Sequence, residues 1–229
     1  MRNLLLILIL CLAGMALKAE PPPSAKDILE SVRMRQTQQQ IDLQGQLRQD
    51  QPRKVIVPFQ LWQNGPVVRY IFSDPEEVLQ LKLGDEDSRL EEISSEGVEK
   101  KITPAQFDHK VRGMDVTYED LSLKFLYWPD PELLGSDNIR TRSCWMLQLR
   151  SPNRQSQYGT VLIWVDKSGG ALMRLEGYDM AGQLAKRFEV ISAQKIENRW
   201  FLKQMRIEKF PPGTKRAESR TYLEIKNNK

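Results

Sequence analysis

Residues 158–178, YGTVLIWVDKSGGALMRLEGY, constrain the fold of this chain more than any other stretch. Two runs of Val, Ile, Leu, Trp and Tyr flank Asp166-Lys167-Ser168-Gly169-Gly170, and the paired glycines supply the positive φ that a tight reversal between strands needs. Side chains alternate across a strand, so Val161, Ile163 and Val165 share one face while Leu162 and Trp164 share the other. Both faces are apolar. Such a strand is either covered on both sides by other elements or has one face turned toward a cavity, as in curved sheets that hold an apolar ligand.

The surrounding pattern extends the hairpin into a meander. Ile41, Leu43 and Leu47 alternate with polar residues, a second strand runs through residues 54–62, and Asn64-Gly65 marks a two-residue turn into a strand over 67–72. Pro58 argues for an edge position or a bulge in the second strand. Leu79, Leu81 and Leu83 predict a further strand, and the acidic stretch beyond them reads as short strands and surface turns. LKFLYW, CWMLQLR, the 158–178 hairpin, LAKRFEVI, WFLKQMRIEKF and TYLEIK then follow as strands at roughly ten-residue spacing. Two helical segments interrupt the sheet. Ser24 and Asp27 form a capping box that opens a helix whose Ile28, Leu29 and Val32 share one face, and Thr117 with Asp120 opens a second, shorter one. The class expected from this pattern is mainly β with some α: a curved antiparallel sheet that curls toward a barrel, with an N-terminal helix docked on it.

The first residues, MRNLLLILILCLAGMALKAEPPP, have the layout of a cleavable secretory signal: one Arg, an apolar run over 4–12, small residues, then prolines. Cleavage after Ala16 or Ala19 meets the small-residue preference, and the expected organisation is a signal over 1–19 and a single domain over 20–229. Lipidation at Cys11 is disfavoured by Leu10, which is large for the position before a lipidated cysteine. The exported chain then keeps one cysteine, Cys144, and cannot close an internal disulfide. Cys144 reads as a small buried apolar residue beside Trp145.

Charge and motifs exclude several classes of function. The formal net charge of +4 includes Arg2 and Lys18 of the leader, so the exported chain is nearly neutral, and no aromatic-basic motif points to nucleic acid. The single histidine, His109, cannot build a multi-histidine metal centre. Asp115, Glu119 and Asp120 form a local carboxylate cluster that suits either a cation or acid-base chemistry, or else the start of a helix. The serine-hydrolase elbow, the zinc-protease motif and the phosphate loop are all missing, so no enzyme is expected, and no cofactor.

Several segments carry a family resemblance: RGMDVTYEDLS (112–122), FLYWPDPELLG, CWMLQL, the hairpin with its extension YDMAGQL, and a strand ending in KQMRIEKF. Together they resemble the periplasmic outer-membrane lipoprotein-sorting proteins, and more narrowly their LolA-like branch, in which a Gly-Ser-Asp-Phe-Ser-Tyr-Glu-Asp-Leu run precedes the final meander. Met114 and Val116 replace a serine and an aromatic of that run. The resemblance implies an incomplete barrel closed by helices around an apolar cavity that shields acyl chains. It also implies a periplasmic location, lipoprotein acyl chains or another lipid as ligand, and an inner- or outer-membrane protein partner for loading or unloading. A monomer is expected. Within such a barrel, alternation gives one inward set of Leu162, Trp164, Met173, Leu175, Leu184 and Phe188. Arg35, near the C-terminal end of the first helix, either reaches into the cavity as a polar anchor or serves only the helix dipole. Two other functions remain: an envelope interaction module with a filled core, and an Asp-based site around Asp115.

Overall fold

A computed structural model of the chain describes residues 22–51, 53–196 and 199–226. The leader and its cleavage sites lie outside the described residues. Helix α1 (Ala25–Thr37) starts where expected, with the Ser24 side chain accepting from the Asp27 amide and Asp27 returning the bond to the Ser24 backbone. It buries Ala25, Ile28, Leu29 and Val32.

One antiparallel meander then runs through β1 (Gln40–Gln49), β2 (Val55–Asn64), β3 (Val67–Ser73), β4 (Glu76–Leu83), β5 (Ser88–Ile93) and β6 (Glu99–Lys101). A second comprises β7 (Glu132–Ile139), β8 (Arg142–Arg150), β9 (Thr160–Asp166), β10 (Leu172–Tyr178), β11 (Leu184–Ile196), β12 (Arg199–Lys209) and β13 (Ser219–Ile225). The first and last strands join them: β1 pairs with β13 through Gly45–Ile225 and Leu47–Leu223. The result is one 13-stranded sheet in the order β6-β5-β4-β3-β2-β1-β13-β12-β11-β10-β9-β8-β7, whose end strands do not pair with each other. The sheet is therefore an incomplete barrel. Residues 104–127, between its two free edges, form the lid: three short 3-10 turns and helix α2 (Tyr118–Ser122).

The core splits into two clusters on the inner face. One joins the first meander to the lid through Phe59, Phe72, Leu79, Phe107, Met114 and Val116. The other joins α1 to the hairpin strands through Leu29, Val32, Leu147, Val161, Ile163 and Phe125. Met114 and Val116 are both buried in the core beneath the lid.

The opposite face of the last strands carries a charge ladder instead. Arg174 pairs with Glu189 at 2.7 Å, Arg187 with Glu176 at 2.7 Å, and Arg220 with Glu208 at 2.9 Å, so opposite charges face one another across adjacent strands. This ladder marks the outer face.

Three expectations are corrected. LKFLYW is not a strand: Leu123 adopts φ 53°, ψ 21°, and residues 124–127 form a 3-10 turn that buries the adjacent Phe125 and Leu126. The strand preceding β8 is β7, ELLGSDNI, which contains no β-branched residue except its last. Pro58 lies in an interior strand, but the β2–β3 ladder begins only at Gln60, so on that side no neighbour meets the missing amide. The parity of the hairpin is the third difference and bears on the site.

Candidate functional site

The inner face of the sheet does not close completely on its cover. Between the lid and strands β1, β2, β10, β11, β12 and β13 lies an apolar cavity of about 250 Å³. Its floor follows the strand registers. Leu43 faces Leu61, which faces Tyr70; on the other side Leu175 faces Phe188, which faces Ile207. Val116, Leu121, Leu123 and Phe125 of the lid close it from above.

A wider mouth of about 900 Å³ adjoins the cavity near the end of α1. Leu172, Met173, Phe201, Leu202 and Met205 line both compartments and make the passage between them apolar. Sites that enclose a small-molecule ligand usually measure about 300–1,000 Å³, so the inner compartment alone is tight and the two together are ample.

A buried polar group ties the lid to the sheet. Asp120, on α2, accepts a hydrogen bond from the Tyr158 hydroxyl at 2.6 Å and pairs with the Lys186 ammonium at 2.6 Å. Both members of the ion pair are nearly inaccessible, the side chains retaining 7% and 2% exposure. The Tyr158 ring lies against Gly177, where a Cβ would approach it to 2.4 Å, so the glycine makes room for the aromatic anchor. Burial, and then the neighbouring Asp120 carboxylate, push the Tyr158 phenol well above its ordinary pKa of 10.0, which keeps it a donor. Glu119 reaches down from the same helix and accepts from the Gln157 amide at 2.8 Å. Burial raises its pKa, partly offset by hydrogen bonds from Ser156 and Gln157.

The carboxylate cluster around residue 115 is dispersed by this arrangement. Asp115 accepts from Ser219 at 2.5 Å and pairs with Lys110 at 3.0 Å, while Glu119 and Asp120 point to separate partners. Burial opposes ionisation of Asp115, but the Ser219 and Lys110 contacts outweigh it and lower its pKa. No group of three or more metal-ligating side chains is present among the described residues. His109 is exposed and stands beside Tyr118, and Cys144 is fully buried.

The residues expected to share the inward set are divided by a register shift. Leu175 and Phe188 line the inner cavity, while Met173, at the bulge, borders both compartments but packs with the outer-face cluster of Ile139, Cys144 and Trp164. Leu162 and Trp164 lie on the outer face, opposite Glu176 and Arg174. There they cluster with Ile139, Cys144 and Met146, and the Trp164 indole donates to Asp137 at 3.0 Å. The cause is the β-bulge between Leu172 and Arg174, which adds one residue to β10 and exchanges the relation between the two strands. Val161, Ile163 and Val165 are the inward residues of β9. Leu184 pairs with Tyr178 past a second register shift and lines neither compartment. Arg35 lines the mouth. The sequence reading missed the wall supplied by Leu43, Leu61, Tyr70 and Leu223; the period-two pattern around Leu43 was the available signal.

Comparison with known proteins gives the fold a family. A family model described as an uncharacterized protein matches residues 95–229, more than half of the chain. The chain belongs to this family. Its matched portion runs from β6 through the lid and the whole second meander. Among solved structures, a putative outer membrane lipoprotein-sorting protein domain from Vibrio parahaemolyticus superposes with a TM-score of 0.68. It is 15% identical over 88% of this chain and 90% of that one. A LolA superfamily protein from Nitrosomonas europaea gives 0.64 at 17% identity, over 90% and 93%. A DUF1329 family protein from Desulfovibrio piger gives 0.67 at 20% identity, over 89% and 90%. The family's fold, as this member displays it, is LolA-like. No curated protein matches the chain in sequence.

Proposed function

We propose that this protein is a non-enzymatic periplasmic carrier that shelters an acyl chain of a lipoprotein or lipid on its way toward the outer membrane. The observation that carries this reading is the apolar space left between the sheet and the lid, which shares five apolar lining residues with an adjoining mouth. Each methylene moved from water into such a space contributes about 0.8 kcal/mol, so even part of a chain supplies a useful affinity. Because the end strands remain unpaired, a chain is held by cover and sheet rather than enclosed by a complete barrel.

The likeness in fold to a lipoprotein-sorting protein domain supports the same reading. The secretory leader agrees with a periplasmic location, and the 20–229 stretch acts as one domain. A membrane protein that loads or unloads the carrier belongs to this reading. The alternative, an envelope interaction module with a filled core, is disfavoured by the volume of the space.

The test is uptake of a fluorescent palmitoyl probe by the purified protein, with native mass spectrometry to detect lipid retained from the cell. Stoichiometric uptake that is lost when the passage is blocked supports the carrier. A protein that neither retains lipid nor takes up the probe is not one.

A further inference from the structure

The mouth of the cavity is basic. Four arginines line it, Arg35, Arg140, Arg142 and Arg199, against one carboxylate, Asp166. The hairpin turn organises two of them. Arg35, at the end of α1, lies over Gly170, where a Cβ would come within 2.6 Å of its Nε. Arg142 reaches the other side of the same turn, 3.5 Å from the Ser168 hydroxyl and 3.8 Å from Asp166. Arg140 extends from the β7–β8 turn toward Glu189 at 3.4 Å, and Arg199 opens β12 with its guanidinium near the Phe201 ring.

The nearby carboxylates pair two of these arginines, Arg140 with Glu189 and Arg142 with Asp166, and leave Arg35 and Arg199 without a carboxylate partner among the described residues. Asp166 is already occupied within its own turn by the Ser168 hydroxyl and the Gly169 amide. Glu189 is held by Arg174 at 2.7 Å, with Arg206 at 3.9 Å. Arg35, Arg140, Arg142 and Arg199 are all largely exposed. Beneath this rim the surface turns apolar at once, through Leu172, Phe201 and Met205. Trp200, 68% exposed, lines the same mouth.

From this charge complementarity we infer that the ligand is a phosphate-headed lipid, its phosphate at the arginine rim and its acyl chain in the inner cavity. The inference rests on the carrier reading and narrows its ligand. Guanidinium groups bind phosphate through paired, charge-assisted hydrogen bonds, and an array of them at the entrance of an apolar passage matches an amphiphile end to end.

Competition against a bound fluorescent palmitoyl probe tests it, using 1-palmitoyl lysophosphatidic acid and uncharged 1-palmitoylglycerol, which share one chain. The phosphate lipid is expected to displace the probe at about ten-fold lower concentration. In the Arg35→Gln/Arg199→Gln variant that advantage should shrink to near equality, while displacement by 1-palmitoylglycerol stays unchanged and shows that the cavity is intact. Equal displacement by both lipids in the unsubstituted protein would overturn the proposal and leave the carrier standing. So would a phosphate advantage that survives Gln substitution of all four arginines, or displacement of the probe by inorganic phosphate alone. If the palmitoyl probe does not bind at all, the carrier reading falls, and the headgroup assignment with it.

Discussion

Asp120 is the residue on which the cover of the cavity depends. It joins α2 to Tyr158 and Lys186 at a nearly inaccessible position, so removing it leaves the Lys186 ammonium with the Thr117 hydroxyl and no charged partner. Asp120→Ala is expected to destabilise the protein by about 3–5 kcal/mol in chemical denaturation. Tyr158→Phe, which deletes one donor and leaves the ion pair, should cost less, about 1–3 kcal/mol. Asp115 acts differently because its contacts lower its pKa below the ordinary 3.8. The stabilisation they provide is complete above that value and is lost as pH falls through the lower, folded-state pKa. The difference in melting temperature between the unsubstituted protein and Asp115→Asn should therefore be constant at neutral pH and shrink below 3.8. A difference that instead grew on acidification would contradict the Ser219 and Lys110 contacts as its source.

At the level of elements, α1 is both a wall of the core and the seat of a rim arginine. Ser24→Ala removes its cap and should cost about 0.5–2 kcal/mol, while Leu29→Ala, at a fully buried position, should cost about 2–5 kcal/mol. Both are measurable by urea denaturation. This helix, the turn at Asn64-Gly65 and the strands around Leu43 and Leu79 were legible in sequence because their periodicity and end signals agree. The failures have local physical causes. The apolar run KFLY resembles a strand, yet Phe125 and Leu126 are both buried, which a strand with one face inward cannot arrange for neighbours. ELLGSDNI lacks β-forming residues because, as an edge strand, it pairs on one side only and needs little packing. Leu162 and Trp164 were misplaced by a single bulge residue, which no alternation pattern reveals.

For the whole molecule, the proposed function turns on the apolar neck where the two compartments adjoin. Met205 lines both sides of it, so Met205→Trp should block the neck and weaken palmitoyl-probe binding by about ten-fold or more, at a stability cost of no more than about 1–3 kcal/mol. Fluorescence titration alongside denaturation separates the two effects. The half-barrel could be anticipated from the meander and the family resemblance. The position of the mouth could not, because it is assembled from the end of α1, the hairpin turn and the start of β12, which are far apart in sequence.

The unpaired edges β6 and β7 also set the mechanics of the molecule. A closed barrel has a circumference fixed by its hydrogen bonds, but here no ladder spans the gap, so widening it strains only the twist of the sheet and the contacts of the lid. The lid is therefore the compliant element and the β1–β13 seam the stiff one. Hydrogen exchange should register this as faster amide exchange across 104–127 than across the β1–β13 pairs, with the lid slowing when the cavity is filled. A sheet built this way can change its aperture without breaking a strand, which is what the proposed carrier needs in order to admit and release a ligand while its sheet stays intact.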